Sequence, residues 1–171
     1  MGMRGVTDIM RNTENIISIR ALAVLSVILL GLAGCGTSSG AKKARLMSPL
    51  PDLKVISSFG PRTPTRMHKG IDLRATSGTP ISAAAGGRVS FAGWQNGFGR
   101  IVIIDHGGNL QTYYAHMSDF AVDKGERVDQ GETVGFVGQS GNATGPHLHF
   151  EVREKGKPVD PLLMLSTQPG S

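Results

Sequence analysis

Apolar and polar positions alternate with a period of two through several short stretches of the 171-residue chain. Val89 and Phe91 alternate with Ser90 and Ala92, the pattern of a strand with one buried face. Similar short runs, rich in β-branched and aromatic residues and punctuated by glycine, cover residues 53–57, 87–92, 100–105, 110–116, 133–137 and 147–153. Ile101-Val102-Ile103-Ile104 is apolar on both faces and predicts a central strand. His106-Gly107-Gly108-Asn109 predicts the turn between two strands, and residues 125–132 predict a turn with a short edge strand. No segment sustains the 3.6-residue apolar period of a core helix. The expected fold class is all-β: a small antiparallel β-sandwich or barrel-like single domain with a groove between its loops.

The N-terminus reads differently. Arg20 precedes an apolar run over residues 21–34, too short for a comfortable membrane span but suited to the apolar region of a signal peptide. The run ends in Leu32-Ala33-Gly34-Cys35, which resembles the lipobox of bacterial lipoproteins. That resemblance implies cleavage before Cys35, lipidation of its thiol and a membrane anchor; the alternative is an ordinary signal peptide followed by an incidental cysteine. Gly36 follows where an aspartate would signal retention, so the pattern implies the outer membrane, facing the periplasm, in a Gram-negative cell. With Cys35 modified no thiol remains, so disulfides are not expected. Residues 36–52, rich in Gly, Ser, Ala and Lys with two prolines, are expected to be a flexible tether. The expected boundaries are thus a leader at 1–34, the lipidated cysteine and tether at 35–52, the folded domain at 53–165 and a tail at 166–171.

The formal charge is +5. More than half of that excess lies before Leu53, and the remainder carries no basic run and few aromatics. Nucleic-acid binding, which needs a concentrated basic face, is not expected. The glycines are scattered among turns, without the strand–loop–helix setting that cradles a nucleotide phosphate.

The chemistry concentrates in histidines. Residues two apart in a strand share a face, so in Gly145-Pro146-His147-Leu148-His149-Phe150-Glu151-Val152 the apolar residues enter the core while His147 and His149 project together. Upstream, Met67-His68-Lys69-Gly70-Ile71-Asp72 adds a histidine with a carboxylate four positions on, and Tyr113-Tyr114-Ala115-His116 ends a strand-like run in a histidine. Catalytic zinc uses three nitrogen, sulfur or carboxylate ligands and keeps one position open. A His, Asp, His set drawn from His68, Asp72 and the 147/149 pair meets that need and leaves two histidines for proton transfer. A loop entering a strand, with Gly70 permitting close backbone approach, is expected around His68 and Asp72.

These motifs, in this order, resemble the lysostaphin/LytM-type zinc metalloendopeptidases of bacterial peptidoglycan, whose fold is a duplicated hybrid motif. Ser58-Phe59-Gly60-Pro61-Arg62, Gly78-Thr79-Pro80-Ile81 and Gly138-Gln139-Ser140-Gly141 with Thr144-Gly145-Pro146 frame them in the same way, so the resemblance spans roughly residues 55–161. It implies one Zn²⁺ held by His68, Asp72 and His149, with His116 and His147 as catalytic residues beside the open position. It also implies peptidoglycan as the substrate, with peptide bonds of stems or cross-bridges hydrolysed.

Other residues carry two readings. Arg62 holds a substrate carboxylate or is a solvated loop arginine. Tyr114 and Trp94 line the groove or pack in the core, and Asn142 and Thr144 contact substrate backbone or serve their turn. His106, beside the Gly-Gly turn, reads as structural. A catalytically silent LytM-like module, activating a separate cell-wall hydrolase or organising division partners, is the alternative to the enzyme. Members of that class lack some site residues, whereas all five positions are filled here.

Overall fold

The computed structural model describes residues 45–166. The leader, Cys35 and the first part of the expected tether lie outside the described residues, as does 167–171. In chain order the strands are β1 (Val55–Ser57), β2 (Gly60–Thr63), β3 (Arg66–His68), β4 (Ile71–Arg74), β5 (Pro80–Ser82), β6 (Gly87–Gln95), β7 (Gly99–Asp105), β8 (Leu110–Phe120), β9 (Arg127–Val128), β10 (Thr133–Val137), β11 (His147–Glu154) and β12 (Lys157–Val159). A short 3₁₀ turn, Pro161–Leu163, follows.

The all-β antiparallel class is what the chain adopts. Ten of these strands join in one hydrogen-bonded sheet with the order β1-β4-β11-β8-β7-β6-β9, while β10 bridges β5 and β8, and β12 pairs with β11. β2 and β3 form a separate hairpin. β8 is the hub: over Leu110–Ala115 it lies between β7 and β11, and beyond His116 it also pairs with β10. β9 is the short edge strand expected near residues 125–132, and residues 106–109 form the β7–β8 turn.

Alternation decides which face each strand buries. In β11, Leu148, Phe150 and Val152 enter the main core beside Leu73 of β4, Ile104 of β7 and Val134 of β10. Burying each such side chain contributes roughly 1.5–3 kcal/mol. In β7 the apolar run serves both faces: Val102 and Ile104 join the main core, while Ile101 and Ile103 pack with Ala115 on the other. His106 is wedged between the Gly86 carbonyl (2.9 Å) and the Thr112 hydroxyl (2.8 Å).

Two expectations change. The folded body begins earlier than residue 53: Leu46 is fully buried and Leu50 nearly so. The Leu46 N–H donates to the Met164 carbonyl at 3.0 Å, and the Leu46 carbonyl accepts from the Ser166 N–H at 2.7 Å. A segment whose composition suits a tether is thereby held by two apolar anchors and by backbone bonds to the far end of the domain. Tyr114 is the second correction. It is wholly buried in the main core, where its hydroxyl accepts from the Ala84 N–H (2.8 Å) and the Thr112 hydroxyl (2.9 Å). Its ring faces the core because it shares a face with Thr112, whereas Tyr113 and Ala115 take the opposite one.

Candidate metal centre

Sheet register brings the first two donors together. β4 and β11 pair so that Asp72 lies directly opposite His149, and His149 is in turn opposite Ala115 of β8. Opposed residues in antiparallel strands hold their side chains on one face within contact distance. The third donor arrives from the hairpin: His68 is the last residue of β3, and only Lys69 and Gly70 separate it from β4. The loop expected there is thus a strand end joined to a strand by two residues. Gly70 is required for space, since a β-carbon on it would run into the Phe150 carbonyl oxygen and lie 2.9 Å from Glu151 Cγ.

The donor atoms converge. His68 Nε2 is 3.2 Å from both Asp72 Oδ1 and His149 Nδ1, and the latter two are 2.8 Å apart. Ligands at about 2.0–2.1 Å from a tetrahedral zinc ion stand about 3.3–3.4 Å from one another. The spacing, and a set of two imidazoles with one carboxylate, therefore fits a zinc ion with one position open.

The unused ring nitrogens fix each donor's orientation. His68 Nδ1 lies 2.8 Å from the Ser58 carbonyl and 2.7 Å from Arg62 Nη2, which turns Nε2 towards Asp72 and His149. Arg62 Nη2 donates to the same carbonyl at 3.0 Å and also bonds Ser57 Oγ, which holds the guanidinium against His68. His149 Nε2 meets Glu151 Oε1 at 3.1 Å, leaving Nδ1 towards Asp72.

Two further histidines stand beside these donors. Their ring centroids are 4.8 Å apart. His147 Nδ1 bonds the Gly145 carbonyl and His116 Nδ1 the Ser140 carbonyl, each at 2.8 Å. Both rings are thus set with Nε2 free, and His147 Nε2 is 3.8 Å from Asp72 Oδ1. His116 reaches the site because its backbone takes a left-handed conformation, φ 64°, where β8 changes partners. Non-glycine residues adopt that conformation at some cost, histidine less rarely than most.

The electrostatics separate the rings. Burial is the largest influence on His116 and lowers its pKa, with the neighbouring His147 and His149 acting the same way. Burial also disfavours charge on His149, but its hydrogen bonds to Asp72 and Glu151 outweigh this and raise it to about 8. Asp72 is the counterpart: burial would raise its pKa, yet the bond to His149 and the surrounding histidines bring it down to about 2. This pocket stabilises positive charge at its centre, and a proton on His149 Nδ1 and a metal ion on the same atom exclude each other.

These groups floor an open groove of about 400 Å³. Of the residues singled out for substrate contact, Arg62, Asn142 and Thr144 line it. Tyr114 does not, being in the core. Trp94 is exposed but is not part of the lining. Phe98 was not anticipated; it joins the groove wall with its ring 5.8 Å from that of His149. Glu151 and Arg153 were also missed, although they continue the alternation of His147 and His149 along β11.

Comparison with known proteins agrees with this geometry. Residues 66–161 match the model of Peptidase family M23, and the chain belongs to that family. It is 43% identical over 121 residues to the DD-carboxypeptidase/endopeptidase Mpg of Neisseria meningitidis, a match covering 68% of this chain and 28% of that protein. The chain therefore spans less than a third of that relative. Among solved structures, a zinc-containing peptidase from Vibrio cholerae superposes with TM-score 0.63 and 30% identity, over 74% of this chain and 41% of the other. The catalytic domain of lysostaphin from Staphylococcus simulans gives TM-score 0.62 and 31% identity, over 67% of this chain and 93% of that domain.

Proposed function

We propose that this protein is a zinc-dependent endopeptidase that hydrolyses peptide bonds in peptidoglycan stems or cross-bridges. The observation that carries the reading is the convergence of His68, Asp72 and His149 within 3.2 Å, beside two more imidazoles. His68, Asp72 and His149 hold the metal, and His116 and His147 handle protons and charge. Membership of a peptidase family, with relatives that include a protein of Vibrio cholerae named as a peptidoglycan DD-endopeptidase, supports the substrate class.

Zinc supplies Lewis acidity for cleavage of an amide. The chain's own residues do the rest. His116 and His147 each present a free Nε2 to the same space, with the Nδ1 proton fixed on a backbone carbonyl. One takes a proton at Nε2 from the attacking water and returns it to the departing amine. The other, protonated at Nε2, hydrogen-bonds the carbonyl oxygen as negative charge builds there. Low pKa at His116 favours the neutral form that accepts a proton. Phe98 and the β2–β3 hairpin wall the groove and reduce the water around the reacting bond.

The lipobox-like Leu32-Ala33-Gly34-Cys35 supports lipid anchoring at Cys35 in the cell envelope, where peptidoglycan lies. A silent activator of another hydrolase has no need for all five polar residues, two of them buried. Metal analysis of the purified protein, digestion of purified sacculi and mass spectrometry of the released muropeptides together test the reading. One zinc per chain and peptide-bond products are expected. A folded protein that binds no zinc, or binds it and releases nothing, overturns it.

A further inference from the structure

The carboxylate of Glu151 is the most deeply buried charge in the described domain, with 1% of its surface exposed. A carboxylate placed there is costly unless every lone pair is used. Each oxygen of Glu151 has its own partner. Oε1 lies 3.1 Å from His149 Nε2, while Oε2 accepts from Arg153 Nε at 2.8 Å and Nη2 at 2.6 Å. Arg153 is itself fixed, its guanidinium carbon 4.1 Å from the centre of the Tyr113 ring. Two nitrogens of the always-charged Arg153 guanidinium converge on Oε2, a pairing that a carboxylate makes. Gly70 closes over the same side chain from the β3–β4 link.

A carboxylate can only accept a hydrogen bond, so once the metal takes His149 Nδ1 the one remaining ring proton sits on Nε2 and points at Glu151 Oε1. Glu151 could also compete as a ligand, being two residues from His149 on the same face of β11. The fork of Arg153 prevents this by occupying the second oxygen and drawing the carboxylate away from the donor cluster.

We infer that Glu151, clamped by Arg153 against Tyr113, is the positioning residue of the metal centre: it sets the tautomer of His149 and is kept from ligation by its arginine. The inference rests on His149 binding the metal through Nδ1 and gives a role to residues that the sequence analysis left without one. Partners of this kind typically change metal affinity 10–100-fold when removed.

Two measurements, neither needing turnover, test it. In zinc-loaded wild-type protein, nitrogen-detected NMR of the imidazoles should show His149 holding zinc at Nδ1 and its proton at Nε2; zinc on Nε2 with the proton on Nδ1 overturns the inference with no variant involved. Zinc affinity by chelator competition should weaken about 10–100-fold in Glu151→Ala. Glu151→Gln, which keeps a carbonyl acceptor of the same shape, should recover about tenfold of that loss. Arg153→Gln should weaken zinc binding by less than Glu151→Ala, with the His149 tautomer retained. Folded Glu151→Gln and Glu151→Ala proteins that both bind zinc within about twofold of wild type would overturn the assignment. That outcome leaves the metal site standing, whereas a wild type that binds no zinc removes both.

Discussion

His116 and His147 lie side by side on the floor of the groove with ring centroids 4.8 Å apart, each held through Nδ1 by a backbone carbonyl. Neither ring is among the three convergent donors, so their removal should separate chemistry from metal binding. His116→Ala and His147→Ala are each expected to retain one zinc and to lower turnover by about 10²–10⁴. His68→Ala, Asp72→Ala and His149→Ala should lose metal and activity together. Metal content and muropeptide release, measured on the same preparations, check this; full activity in His116→Ala and His147→Ala would refute the division of roles.

The N-terminal segment offers a second test. Leu46 is fully buried and exchanges backbone hydrogen bonds with Met164 and Ser166, so residues before β1 belong to the folded unit. Leu46→Ala should cost about 2–5 kcal/mol, the usual range for a buried leucine truncated to a methyl. Urea unfolding gives the value directly. A loss below about 0.5 kcal/mol, typical of a surface position, would return the segment to the role of tether.

That segment also marks where the sequence ceases to be legible. Strand β11 announces itself because Leu148, Phe150 and Val152 repeat at the period of a half-buried strand, and β7 by its unbroken apolar run. β6 is visible too, but its expected single buried face is wrong: a bulge after Val89 sends Phe91 to the opposite face, against Ile101 and Ile103, and turns Ala92 to the main core. Leu46 and Leu50 sit among Gly, Ser, Lys and Pro, and what buries them comes from the opposite end of the chain, which no local pattern reports. β2, β3 and β5 are three or four residues long, too short for a period to emerge. The five polar residues of the centre were legible from spacing and motif. Glu151 escaped because a strand glutamate ordinarily faces water, and only the register of β11 against β8 buries it. The positive φ of His116, which aims its ring, follows from β8 changing partners and leaves no local trace.

Gly70 provides a third test, because its role is space. A β-carbon there would collide with the Phe150 carbonyl and approach Glu151 Cγ to 2.9 Å. Gly70→Ala must push the β3–β4 link outward, moving His68 away from Asp72 and His149. A destabilisation of about 1–3 kcal/mol, as for overpacked cores, and weaker zinc binding are expected together. Gly145 is the control for added bulk, since a β-carbon on it would meet nothing within 4 Å. If Gly70→Ala matched wild type in both urea unfolding and zinc competition, the close approach would have no energetic weight.

The last prediction concerns alkaline pH and lies away from the metal. Burial is the main cause that pushes the Tyr114 phenol up to about 12, against an ordinary value of 10.0, with the bonds from Ala84 and Thr112 opposing it only in part. Between those two values the unfolded chain has lost the phenolic proton while the folded chain still holds it. The folded state then binds more protons, so stability falls as pH rises through that window and is fully present below pH 10. A tenfold preference is worth about 1.4 kcal/mol, so the loss approaches about 3 kcal/mol near pH 12. Tyr114→Phe removes the titrating group, and with it this part of the slope. It also leaves the Ala84 N–H and the Thr112 hydroxyl without their acceptor, at a cost of about 1–3 kcal/mol at neutral pH. Urea unfolding of both proteins at pH 8 and pH 11.5 should show the variant weaker at the lower pH and the gap narrowing at the higher. A gap that stays constant or widens would mean that Tyr114 titrates in the fold as it does in water, contrary to its burial.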